Sequence, residues 1–203
     1  MDTLTIIIIL IGLPIVTVRF YRFILFAKAN SQISKKRFTR ISPLYNKLKN
    51  GELITKNDVY KYAQNLLTRK MAFELLQHNN LLNIFPDEFN TIEKAAESNL
   101  ANWLEFPTEL NTCPDKIEHV KRVTINIDEE GNFVHYEVFE FKVNEPHPDA
   151  KRGWMLGVVG PYFNDSKPYD YPSCTYSRFK HNSDTASSEE EAKWVHENIL
   201  IQS

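Results

Sequence analysis

The residues of this chain whose types and spacing suit chemistry gather in its second half. His135 and Glu137 stand two apart, so on a β-strand both side chains point to one face. Such a pair can ligate a metal or pass a proton. A half-exposed hairpin strand yields the same spacing with no chemistry attached. Glu145-Pro146-His147-Pro148-Asp149 reads as a stiff loop that holds His147 and Asp149 outward. Loops concentrate functional residues, although prolines also mark ordinary turns.

The segment from Gly160 to Tyr176, GPYFNDSKPYDYPSCTY, crowds tyrosines between prolines. Tyrosine couples a rigid apolar ring to a polar tip, the character of recognition surfaces, and Tyr162, Tyr169 and Tyr171 are the expected contacts. The plain alternative is a well-packed surface loop. Cys174 within it is a candidate nucleophile with His147 or His181 as base, although most isolated cysteines are inert. Gly153 to Gly160 holds three of the six glycines but lacks the spacing of a phosphate-binding loop. Those glycines are expected to allow close packing. No His-Glu-x-x-His pair and no C-x-x-C occurs, so neither a metal nor another cofactor is expected. Catalysis, if present, falls to His135, Glu137, His147, Asp149 or Cys174.

These residues need a scaffold, and its first element is apolar. Leu4 to Val18 carries no charged side chain. As a helix that run is about 22 Å long, short of a hydrocarbon core of about 30 Å. Extended through Arg19-Phe20-Tyr21-Arg22 to Ala27, it reaches about 36 Å, with both arginines snorkelling toward the headgroups. The expectation is a single-pass membrane anchor over residues 1–28, with Leu4, Ile8 and Leu13 in lipid and Arg19 and Arg22 near the interface. A cleaved signal peptide fits less well. Met1-Asp2-Thr3 supplies no basic start, and two arginines precede the small-residue site at Ala27-Lys28-Ala29.

Charge then sets orientation. Of 24 basic and 26 acidic residues, the nine basic ones from Arg19 to Lys49 stand in a stretch free of acids between Thr3 and Gly51. The remainder, with 15 basic and 25 acidic residues, is near −10. The positive-inside rule puts the domain after the anchor in the cytoplasm. An acidic domain makes nucleic acid an unsuitable partner, because that affinity comes chiefly from neutralising phosphates. The bilayer is the expected first partner and another protein the second.

The rest of the pattern predicts an α+β fold: the N-terminal transmembrane helix, a helical segment, a small antiparallel sheet and a C-terminal helix. Residues 29–41 read as a basic juxtamembrane linker and 42–203 as a soluble domain, helical over 42–106, with the sheet and last helix over 118–203. Ser42-Pro43 reads as a helix start. Thr55 and Asp58 form a capping box for a helix running to His78, and Thr91 caps the next. Val123, Ile125 and Ile127 alternate on a strand, and Asp128 to Gly131 turns it into a return strand. That strand's apolar face switches near Val138, which predicts a bulge. Further strands are expected at Trp154–Val159 and around Ser173–Phe179, and a last helix at Ser187. Two functions fit: a membrane-held protein-binding module (adaptor, inhibitor or immunity-like factor), or a membrane-tethered hydrolase or transferase.

Overall fold

The computed structural model describes residues 3–105, 112–143, 153–170 and 187–200, with backbone alone at 3–13, 15, 112, 199 and 200. Within them the fold is mixed α+β. Its elements run α1 (Thr3–Lys49), α2 (Lys56–Gln64), α3 (Leu66–His78), α4 (Ile92–Leu104), β1 (Thr112–Asn126), β2 (Phe133–Val143), β3 (Trp154–Phe163) and α5 (Ser188–Val195). A π-helical turn, His196–Leu200, prolongs α5.

The 47 residues of α1 form one helix, about 70 Å at the usual rise. The expected linker at 29–41 is therefore helical, and the helix predicted to start at Pro43 is the end of α1. Pro43 has no N–H for the carbonyl of Thr39. The Ser42 hydroxyl donates to that carbonyl at 3.0 Å, so the ladder loses a rung without leaving a bare acceptor. Among the described residues no helix is long and apolar enough to cross a membrane. Of the expected anchor residues, Leu4, Ile8 and Leu13 have side chains outside the described set, while Arg19 and Arg22 are exposed.

The capping box at Thr55 and Asp58 forms as expected. The helix it opens does not reach His78 in one piece, because Asn65 turns extended and caps a second helix by accepting from Leu67 N–H. The break leaves α2 carbonyls without helical donors. Thr68 Oγ1 donates to Tyr62 O, and the buried Arg69 donates to Ala63 O and Gln64 O. Arg69 also reaches Glu97 and the Lys94 carbonyl on α4. Thr68 and Arg69 thus satisfy the break, and Arg69 ties three helices together. Ile41 and Leu44 of α1 join Val59, Tyr62, Phe73, Leu76 and Phe85 in the core of this helical half.

The sheet is antiparallel in the order β1-β2-β3. Asp128 Oδ1 accepts from the backbone N–H of Glu130 and Asn132, and Gly131 takes a positive φ of 90°, which closes the hairpin. Central β2 is apolar on both faces because helices cover both. Phe139, Phe141 and Val143 meet Leu100 and Leu104 of α4. Val134, Tyr136 and Val138 meet Ala192 and Val195 of α5. The face switch read in the sequence is this double burial. The register shift next to Val138 belongs to β1, between His119 and Lys121. The strand expected around Ser173–Phe179 lies outside the described residues.

Candidate functional site

The bulge in β1 makes the most chemically distinctive cluster. His119 pairs with Phe139, and two residues later Lys121 pairs with the next residue back, Val138, leaving Val120 as the extra residue. His119 and Arg122 are three apart and would face opposite ways on a regular strand. The bulge turns both toward Glu137. His119 Nε2 lies 2.6 Å from Glu137 Oε2, and Arg122 Nε donates to Oε1 at 2.6 Å. Glu137 is fully buried, whereas His119 and Arg122 keep 36% and 43% of their side chains exposed. The partly solvent-facing partners thus supply the hydrogen-bond partners of a carboxylate buried from the surface.

Arg122 bridges onward. Its Nη2 donates to Glu93 in the first turn of α4, so β1, β2 and α4 share one network. Burial pushes the Glu93 carboxyl upward. The local backbone N–H, the Thr91 hydroxyl and the Arg122 charge outweigh that and hold it below its ordinary range. With Glu137 as a carboxylate, His119 Nε2 is the donor of this contact, and in the neutral ring Nδ1 would be the acceptor. A carboxylate that fixes a histidine tautomer is the orienting half of a general-base pair. Sequence spacing gives no sign of His119, because its odd distance from Arg122 hides the shared face.

His135, the expected partner of Glu137, is placed differently. Its Nε2 stands 4.0 Å from Glu137 Oε1, beyond hydrogen-bond reach, and that buried nitrogen has no hydrogen-bond partner among the described residues. Its ring stacks on Tyr162, with centroids 5.5 Å apart and 19° between planes. Burial, then the Arg122 charge, pulls its pKa below the ordinary value, which favours a neutral ring.

The expected tyrosine surface does not form among the described residues. Tyr162 is fully buried in the core under α4. Tyr169, at a positive φ of 61°, packs on Phe73 of α3 at 4.7 Å, and burial drives its phenol well above its usual pKa. Tyr169 therefore ties the loop after β3 to the helical half. Tyr171, His147, Asp149, Cys174 and His181 lie outside the described residues. Among the described residues no three His, Cys, Asp or Glu side chains converge on a metal position.

Of the glycines expected to allow close packing, Gly157 and Gly160 do so, while a Cβ at Gly153 would meet nothing nearer than 3.5 Å. A Cβ at Gly157 would stand 3.0 Å from the Leu100 methyls. One at Gly160 would stand 2.6 Å from Tyr136 Cδ1, where β3 bulges opposite His135 and Glu137.

A second polar cluster fastens α1 to the domain. Glu105, at the C-terminal end of α4, receives Lys36 Nζ at 3.2 Å, Arg37 Nε at 2.9 Å and Arg40 Nη1 at 3.3 Å. Arg37 also donates to the Asn102 carbonyl. Cations there complement the negative end of the helix dipole. Over its stretch from Phe20 to Phe26 α1 is exposed: Phe20, Tyr21, Phe23, Ile24, Leu25 and Phe26 are between 46% and 65% exposed. Beside the Glu105 cluster, Phe38 and Tyr45 flank a shallow groove of about 220 Å³ lined also by Ile41, Met71 and Leu75.

No family model, no curated protein and no solved structure matches this chain.

Proposed function

We propose that this chain is a single-pass membrane protein whose α+β domain, held in the cytoplasm on the rigid end of α1, binds another protein. The observation that carries the membrane half is the exposure of large apolar side chains on α1 from Phe20 to Phe26. Successive helical residues advance by about 100°, so these positions sweep the whole circumference and no single packed face accounts for them. Burying each is worth about 1.5–3 kcal/mol, so six of them need an apolar surrounding. The charge-free run from Leu4 to Val18 precedes them on the same helix. Cations from Lys28 to Lys49, with no acid among them, favour the cytoplasmic side for the domain beyond them.

The binding half draws on Phe38 and Tyr45, exposed aromatics beside the groove between α1 and α3. Phe38 stands about 16 Å along the helix from Ala27, so a partner there is itself at the membrane. The test has two parts. In alkaline carbonate the full chain should stay with membranes, while a chain lacking residues 1–27 should be released. A photo-crosslinker in place of Phe38 should then give one discrete protein adduct in native membranes, lost in Tyr45→Ser. Adducts with lipid alone would end the binding proposal.

A second reading, a membrane-tethered hydrolase or transferase, is favoured by one observation, the His119–Glu137 pair. It predicts that His119→Gln abolishes turnover while leaving the near-ultraviolet circular dichroism intact. Unchanged turnover would exclude His119 as the base.

A further inference from the structure

The basic segment of α1 divides between two partners, and the division names a ligand. Glu105 takes up Lys36, Arg37 and Arg40, which lie close together on the side of α1 that meets α4. Arg22, Lys28 and Lys35 are exposed and form no ion pair among the described residues. Lys28 and Lys35 are seven residues apart, two helical turns, so they share a face. Helix side chains lean toward the N-terminus, which carries the Lys35 ammonium back toward the level of Lys28. Arg22 lies about 9 Å before Lys28 and about a third of a turn around the helix, and its guanidinium joins the headgroup layer only by snorkelling against that lean.

We propose that Arg22, Lys28 and Lys35 form a lipid-facing cationic surface that prefers anionic headgroups, while Glu105 draws Lys36, Arg37 and Arg40 toward α4 and balances one of their three charges. The inference rests on the membrane reading above. With no acid between Thr3 and Gly51, nothing on this stretch of helix opposes a negative surface. Each cation near such a surface is worth about 1 kcal/mol, a factor of about five in partitioning. Lys36, Arg37 and Arg40 follow Lys35 along the helix and share a carboxylate within 3.3 Å.

The experiment uses the full chain reconstituted in phosphatidylcholine bilayers with a minor fraction of phosphatidylglycerol. Spin-labelled versions of each lipid report which is immobilised at the protein. Wild type should immobilise phosphatidylglycerol at least about fivefold in preference to phosphatidylcholine, and high salt should weaken this. R22Q/K28Q/K35Q should remove the preference. Lys36→Gln, which alters a cation already held by Glu105, should leave it nearly unchanged. An unchanged preference in the triple variant, or equal losses in both variants, would overturn the proposal. So would abolition by inorganic phosphate, which would mark a soluble-anion site. Resistance to carbonate extraction is scored in parallel: a chain that washes off defeats the membrane reading, whereas an inserted chain without lipid preference defeats this inference alone.

Discussion

Glu137 is fully buried, whereas Arg122 and His119 are not, and that inequality makes the two ends of one ion pair respond differently to mutation. Arg122→Met strands a carboxylate in the sheet with only His119 beside it. Uncompensated buried charges of this kind cost about 3–5 kcal/mol, and the remaining histidine places this one near the lower end. Glu137→Gln removes the charge but keeps the shape. Arg122 then still has Glu93 and water, and the amide oxygen keeps one acceptor, so the loss amounts to one charge-assisted hydrogen bond, about 2 kcal/mol. Thermal unfolding of the full chain in detergent micelles, followed by tryptophan fluorescence, measures both. At about 2–4 °C per kcal/mol, Arg122→Met should lower Tm by roughly 6–12 °C and Glu137→Gln by roughly 4–8 °C. The double variant R122M/E137Q should fall short of the sum by at least about 1 kcal/mol, since no buried charge is left alone. Equal single effects, or strict additivity, would refute the view of Glu137 as the partner that dominates the pair.

Gly160→Ala should destabilise by about 1–3 kcal/mol in the same assay, because its Cβ would stand 2.6 Å from Tyr136 Cδ1; a neutral result would mean that β2 and β3 separate easily there. His135 has a folded pKa below its ordinary value, so the unfolded chain binds the extra proton first. Its contribution is complete above about pH 6.5 and is lost as pH falls toward the folded pKa. Tm measured from pH 7.5 to 5.5 should therefore drop less in His135→Gln than in wild type, and parallel curves would contradict this. Thr55→Ala removes the side-chain cap of α2 and should cost about 1 kcal/mol by denaturant unfolding, with no change in the carbonate test.

Local chemistry is the legible part of the sequence. Thr55, Thr91 and Ser187 cap the helices they precede, because a cap needs only its own next three residues. The turn at Asp128 to Gly131 is legible for the same reason. The features that the sequence hides depend on distant partners. Ser42-Pro43 has the composition of a helix start, yet Ser42 serves the carbonyl that Pro43 leaves open and α1 runs on. The basic stretch before it reads as linker until Glu105, more than sixty residues later, supplies its counter-charge. Asn65 divides a continuous apolar pattern because Thr68 and Arg69 satisfy the carbonyls exposed by the break. Sequence spacing points to His135, which stands 4.0 Å from Glu137, and misses the histidine that is hydrogen-bonded to it. Parity on β2 selects His135, whereas the partner comes from β1 across a bulge that no periodicity reveals.

The central claim is that α1 holds the domain to a membrane, and carbonate extraction of paired chains tests it most directly. The full chain should pellet with membranes after the wash, and the chain lacking residues 1–27 should appear in the supernatant, folded by near-ultraviolet circular dichroism. Release of the full chain into the supernatant as a folded protein would contradict the account, because the exposed apolar girdle from Phe20 to Phe26 would then face water.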